Sequence, residues 1–127
     1  MTFEEMFRDS RWEDLKSELL GEAEWTCEEC EAAANEDSVH ICYYPKKKVL
    51  WEFPRDSFKV LCLAHKAERA GFERDLRASL SAFTTADLGV FLDVLDELRG
   101  QDDADRSRSM ETLRGLVKGS RSSGWPV

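Results

Sequence analysis

Two short pairs of metal-ligand residues constrain this chain more than any other feature. Cys27 and Cys30 are separated by two residues, and Cys62 and His65 repeat that spacing farther along the chain. Zinc prefers tetrahedral sets of thiolate and imidazole, and each pair can converge on one ion from a tight turn. The sequence therefore predicts a zinc site formed by these four residues. Zinc binding contributes about 10 to 16 kcal/mol in finger peptides, so its removal should unfold the middle of the chain.

Two other interpretations of the cysteines remain open. Cys42 competes with His65 for the fourth position, although Cys42 has no partner at the spacing of a metal-binding turn and reads as a buried thiol. Alternatively, the four cysteines are ordinary small buried residues and the histidine is exposed. The paired spacing favours the metal site over both.

Length and charge limit the class of protein. The chain has 127 residues, which fits one compact domain, and 26 acidic against 18 basic residues give a net charge of -8. Such a charge disfavours general binding to nucleic acid, which rests on Lys and Arg. Charged residues interrupt every apolar run, and the first residues lack the pattern of a secretory signal, so we predict a soluble protein with no membrane partner. Cysteines without such a signal predict a reducing compartment, and the cytoplasm is the expected location.

The apolar periodicity predicts four regions in an α+β fold. Residues 1–24 read as a helical segment, with Ser10 as a helix cap and Gly21 as a stop. Residues 25–67 read as the zinc-binding core, with an irregular hairpin of strands over 38–44 and 49–53. Residues 68–119 read as a helical extension, in which Thr84 or Thr85 caps a helix that Gly100 ends and a polar linker follows over 101–109. Residues 120–127 read as a flexible tail.

The large apolar residues predict where the chain is buried. Trp12, Trp25 and Trp51 are expected in the core of the small domain, while Trp125 lies in the tail as a disordered residue or a partner anchor. In the extension the helical spacing predicts two inward faces. These faces consist of Phe72, Leu76, Leu80 and Phe83, and then of Leu88, Phe91, Leu92, Leu95 and Leu98.

Around the ligand pairs, several short motifs occur in a fixed order. They are Trp12, Leu15 and Lys16, then Trp25 to Cys30, Val39 and His40, Tyr43 and Tyr44, Trp51 and Glu52, Pro54, and Leu61 and Cys62. This combination, over residues 12–66, resembles the HNH endonuclease family. The resemblance implies a treble-clef, ββα-metal fold and a divalent ion such as Mg²⁺ or Mn²⁺ beside a histidine general base.

The catalytic positions implied by that resemblance are incomplete. His40 matches the first member of the family's histidine pair, a metal ligand, but Ile41 stands where the general base belongs and cannot take a proton. At the second turn, either His65 replaces the last zinc cysteine and Lys66 takes the catalytic histidine position, or His65 keeps the catalytic role. General-base assistance contributes about 10² to 10⁴ in rate, so its loss predicts a degenerate module.

Three functional hypotheses follow. The first is a non-catalytic HNH-like zinc module that binds a protein or, less readily, a nucleic acid. The second is an active endonuclease with His40 as catalytic residue and Asp56 or His65 as metal partner. The third is a protein-binding adaptor, or an oligomer, built on the C-terminal helices. The loop residues Lys46, Lys47 and Lys48, beside Tyr43 and Tyr44, are the candidate contact for nucleic acid.

Overall fold

A computed structural model describes residues 1–122, with side chains described through residue 117. The chain divides into two compact units, Met1–Ala78 and Ser79–Val127, called here the first and second units. Within the described residues, five helices accompany one small sheet, so the fold is α+β as predicted. In chain order, the elements are α1 (Phe3–Phe7), α2 (Ser10–Glu22), β1 (Val39–Ile41), β2 (Phe58–Val60), α3 (Leu63–Ser79), α4 (Thr85–Arg99) and α5 (Asp103–Ser122).

The hairpin differs from the sequence prediction in its second strand. Strand β1 pairs antiparallel with β2, with Val39 opposite Val60. The predicted strand over 49–53 is wrong, because Leu50–Glu52 form a 3₁₀ turn instead. Residues three apart lie on the same side of such a turn, so Leu50 and Phe53 both reach the core.

The core of the first unit packs α2 against the sheet and the 3₁₀ turn. The buried members of this cluster are Met6, Trp12, Leu19, Leu20, Val39, Leu50, Phe53, Phe58 and Val60. Trp12 is buried as predicted, and Trp51 is half-buried beneath the Arg11 guanidinium, 4.2 Å from its ring centre. The prediction for Trp25 is wrong, since Trp25 is 46% exposed. It has a φ of 56° and lies in the turn that follows α2, outside the helical face that packs on the core.

The ends of α2 also differ slightly from the predicted ones. Asp9, not Ser10, is the N-cap, and its carboxylate accepts the Arg11 backbone N–H. Gly21 lies inside the last turn, and the helix continues to Glu22. The N-cap shifts by one residue and the C-cap, Ala23, lies two residues beyond Gly21, within the usual uncertainty of helix ends.

The second unit begins with a well-capped helix. Thr84, one of the two predicted caps, is the N-cap of α4, and the Thr84 and Asp87 side chains each accept the other's backbone N–H. Gly100 ends the helix. The predicted linker over 101–109 is wrong beyond Asp102, because α5 starts at Asp103. There the Arg106 guanidinium donates to the carbonyls of Leu98 and Gln101, which satisfies the end of α4.

The predicted inward faces of the extension are buried only in part. Leu98 is buried, and Leu88 and Phe91 are half-buried. Phe72, Leu76, Leu80, Phe83, Leu92 and Leu95 are exposed. Helix α5 extends to Ser122 and so includes the first residues of the predicted tail, whereas Trp125 lies outside the described residues. Among the helices within residues 1–122, none combines the length and apolar character needed to cross a membrane.

Candidate metal centre

The first ligand pair lies on a tight turn at the start of the sheet region. An isolated antiparallel bridge joins Thr26 to Ala33 and closes the turn that carries Cys27 and Cys30. Inside it, the Cys27 backbone N–H donates to the Ala32 carbonyl at 2.7 Å. Glu31 adopts a φ of 63°, which bends the chain back after Cys30. The turn therefore presents both sulfurs on one side.

A neighbouring residue attaches this turn to the sheet. The Glu28 backbone N–H donates to the Val60 carbonyl at 2.9 Å, and the Glu28 carboxylate accepts the Val60 N–H. Because β2 leads directly into the second ligand pair, this double contact fixes the distance between the two pairs. Glu28 is a positioning residue that sequence reasoning missed.

The second ligand pair lies at the start of α3. Leu61 is fully buried, and its N–H donates to the Ser38 carbonyl, which anchors the chain just before Cys62. Helix α3 starts at Leu63, and the Lys66 N–H donates to the Cys62 carbonyl at 2.8 Å. His65 is therefore in the first turn of α3.

The four side chains converge with near-tetrahedral spacing. The Sγ atoms of Cys27, Cys30 and Cys62 and a ring nitrogen of His65 all lie within 4.8 Å of one another. The His65 Nδ1 is 3.6 Å from the Cys27 sulfur and 3.3 Å from the Cys62 sulfur, and the Cys30 and Cys62 sulfurs are 3.7 Å apart. Around a tetrahedral zinc ion, these separations would be about 3.6 Å for nitrogen to sulfur and about 3.8 Å for two sulfurs. This four-ligand cluster could hold a metal ion.

Backbone N–H groups favour the thiolate form at two of the cysteines. Burial of Cys27 raises its thiol pKa, but hydrogen bonds from the backbone around Cys62, Glu29 and Cys30 outweigh burial and lower that pKa to about 6. The His65 backbone N–H likewise lowers the pKa of Cys62. Hydrogen bonds to the Cys27 and Cys62 sulfurs raise the pKa of His65. Thiolates are the form that binds metal.

The remaining candidate ligands occupy other positions. Cys42 is half-buried just after β1 and belongs to a different group with His40 and Glu73, whereas His65 completes the four-ligand cluster. Lys66, the other occupant considered for the catalytic position, donates its ammonium to the Asp37 carbonyl at 2.6 Å. Asp56 accepts the Tyr43 hydroxyl at 3.1 Å.

His40 is buried and paired with a carboxylate. Only 8% of the residue is exposed, and its Nε2 lies 2.8 Å from Oε1 of Glu73 on α3. The second oxygen of Glu73 accepts the Arg69 Nε at 3.0 Å. Sequence reasoning missed Glu73, because its approach to His40 depends on how α3 packs over the sheet and no local motif encodes that packing.

The lysine loop is exposed and its neighbouring aromatic residues are partly engaged. Lys46, Lys47 and Lys48 are all exposed, and Lys47 has a φ of 59° in the turn. The Tyr44 ring meets Phe3 and Phe53 edge to face, with centroids 5.2 and 5.9 Å away. Those contacts hold Tyr44 against the core.

Comparison of the chain with protein-family models, with curated proteins and with solved structures gives no significant match.

Proposed function

We propose that the first unit is a structural zinc module, in which Cys27, Cys30, Cys62 and His65 hold one Zn²⁺. The observation that carries this proposal is that three separations among the four ligand atoms lie close to the edges of a tetrahedral zinc site, and that all four atoms lie within 4.8 Å of one another. Three sulfurs and one imidazole form a typical structural zinc set, and such sets leave no position open for a substrate.

We further propose that the module is a degenerate relative of the HNH endonucleases with a treble-clef, ββα-metal architecture. The order of a cysteine turn, an antiparallel strand pair and a helix that starts at the second ligand pair supports this assignment. Ile41 follows His40 where the family resemblance asks for a general base, and Ile41 has no titratable group. His40 is itself held by Glu73. These features favour a non-catalytic module.

The proposed role is interaction with a protein partner through the second unit. Its helices expose several large apolar side chains, including Val90, Leu92, Leu95, Met110, Leu113 and Leu116. Leu92 is 61% exposed and Leu116 is 75% exposed. Soluble proteins rarely leave broad apolar faces uncovered, and such faces mark interaction surfaces. A net charge of -8 favours a protein over nucleic acid as the partner.

A cleavage assay tests the non-catalytic part of the proposal. Zinc-loaded full-length protein is incubated with plasmid and single-stranded DNA in Mg²⁺ and in Mn²⁺, beside the His40→Ala variant. We expect no cleavage by either protein. Divalent-ion-dependent cleavage that disappears in His40→Ala would instead establish His40 as a catalytic residue and an active nuclease.

The Ile41→His variant is the informative companion. It restores a titratable group at the position implied for the general base and leaves the four-ligand cluster unchanged. Detectable cleavage by the wild type, as fast as that of Ile41→His, would contradict the argument that Ile41 disables the site.

A further inference from the structure

A second group of possible metal ligands is formed by residues at the end of β1 and on α3. His40 and Cys42 are two residues apart along extended chain, a spacing that places side chains on one face. The Cys42 N–H donates to the Ser57 carbonyl at 2.7 Å, so cross-strand pairing continues past the end of β1. Glu73 of α3 meets them, and one ligand atom from each residue lies within 4.8 Å of the other two. We call this group the His40 cluster.

The carboxylate of this cluster is held in a fixed orientation. Glu73 directs Oε1 to His40 at 2.8 Å and Oε2 to the Arg69 Nε at 3.0 Å. Arg69 also lies 3.8 Å from a carboxylate oxygen of Glu29. The Arg69 guanidinium thus binds Oε2 of Glu73, the oxygen that does not contact His40, and also interacts with the Glu29 carboxylate. Outer contacts of this kind orient the ligands of metal sites.

The cluster is accessible from one side. A groove of about 690 Å³ is lined by both Cys42 and Glu73, with Tyr43, Arg74 and Arg77 along it. His40 approaches from the buried side. An ion in the cluster would therefore meet protein on the His40 side and solvent on the groove side, which leaves room for a water molecule as fourth ligand.

We propose that His40, Cys42 and Glu73 form a second metal site, which binds a divalent transition-metal ion and leaves one coordination position open to the groove. An imidazole, a thiolate and a carboxylate suit ions such as Zn²⁺ or Co²⁺ rather than Mg²⁺. The family resemblance assigns no role to Cys42 or Glu73. The proposal is independent of the structural zinc module.

Binding requires two small changes at the cluster. The Cys42 thiol releases its proton to solvent, and the His40 nitrogen and Glu73 oxygen exchange their direct contact for bonds to the ion. Around such an ion these two atoms would lie about 3.4 Å apart, so they separate by about 0.6 Å. The side chains of Glu73 and its partner Arg69 are both partly exposed, so the pair can shift by this distance together and keep the carboxylate orientation.

A cobalt titration tests the proposal. Full-length protein, first loaded with one equivalent of zinc per chain so that only the four-ligand cluster is filled, is titrated with Co²⁺ under reducing conditions. We expect thiolate-to-cobalt absorption in the near ultraviolet that saturates at a further equivalent of metal. Cys42→Ser should remove this absorption while zinc content and far-UV circular dichroism stay unchanged.

Glu73→Gln and Glu68→Gln form a matched pair on the same helix. Glu73→Gln should weaken cobalt binding by more than about 10-fold, the lower end of the effect of outer-contact substitutions at metal sites. The exposed Glu68→Gln should leave it unchanged. Absence of cobalt absorption in the wild type, or its persistence in Cys42→Ser, would overturn the second site. Neither result bears on zinc in the four-ligand cluster, which is measured separately as the zinc content of the starting protein.

Discussion

The two units of this chain are built in different ways. In the first unit, α2, the strand pair and the 3₁₀ turn bury a shared cluster, and the four-ligand cluster joins residues 27 to 65. In the second unit, Leu98 is the buried residue of α4, and large apolar residues remain exposed on α4 and α5. The first unit therefore depends on contacts between distant residues, whereas the second depends on local helix signals.

From this difference we expect the first unit to be the stable part of the chain and the second unit to interact with other molecules. A shared core and a metal site make the first unit cooperative, so the loss of one ligand should affect all of it. Helices with good caps and uncovered apolar faces form locally but gain most of their stability from packing against something else. Metal removal should therefore have the largest effect, and substitutions at the surface should have the smallest effects.

The largest expected effect is that of metal removal on the first unit. A strong chelator should abolish its tertiary structure, because a structural zinc ion contributes about 10 to 16 kcal/mol in finger peptides and whole domains are stable by only about 5 to 15 kcal/mol. Tryptophan fluorescence reports this directly, since Trp12 is buried and Trp51 half-buried in that unit.

Readdition of zinc serves as the control for that experiment. It should restore the native fluorescence, which separates metal loss from damage by the chelator. If the chelator leaves the fluorescence and the near-UV circular dichroism unchanged, the core is folded without metal and the prediction is wrong.

The next effect compares two leucines, one in each unit. Leu20 is 1% exposed, so Leu20→Ala should lower the free energy of unfolding by about 2 to 5 kcal/mol. Leu92 is exposed, and Leu92→Ala should change it by no more than about 0.5 kcal/mol. Urea unfolding of both variants measures the pair. Equal losses would show that the apolar face of α4 is covered in solution.

A smaller effect concerns the start of α4. Thr84→Ala removes the side chain that accepts the Asp87 N–H and should destabilise the second unit by about 1 kcal/mol. Thr85→Ala is the matched control, because Thr85 is the first helical residue and not the cap. Thermal unfolding followed by far-UV circular dichroism compares them, and a larger loss for Thr85→Ala would refute the cap assignment.

Prediction of the fold from sequence succeeded where the signals are local. A cap at Thr84 or Thr85 and the Gly100 stop were predicted because helix-end signals need only neighbouring residues. The two ligand pairs were predicted for the same reason, since each spacing of three suits one turn. The meeting of the pairs followed from the chemistry of zinc.

Longer-range features were not predictable in the same way. Residues 49–53 are of types common in strands, but they form a 3₁₀ turn because this conformation lets Leu50 and Phe53 both pack in the core. The second strand, β2, forms at Phe58–Val60 instead. Glu73 reaches His40 across 33 residues because of helix packing. The polar residues over 103–109 suggested a linker, but they are part of α5. There Arg106 contacts the end of α4, a long-range contact that the local sequence does not indicate.

The smallest expected effect concerns the lysine loop. A fluorescent single-stranded DNA should show no binding at about 0.15 M salt, because the net charge of -8 opposes the phosphates. Replacing Lys46, Lys47 and Lys48 with alanine should therefore change nothing in an anisotropy titration. Tight wild-type binding with a steep salt dependence that the triple variant loses would make nucleic acid the partner.

The zinc content of the purified chain is the most direct test of whether the four-ligand cluster holds one zinc ion. Elemental analysis by mass spectrometry is applied to the wild type, to Cys30→Ser and to Cys42→Ser, all prepared under reducing conditions and dialysed free of loose metal. The account predicts about one tightly held zinc ion per chain in the wild type and in Cys42→Ser, and its loss in Cys30→Ser. A wild type without stoichiometric zinc, or a Cys30→Ser variant that retains it, would contradict the account.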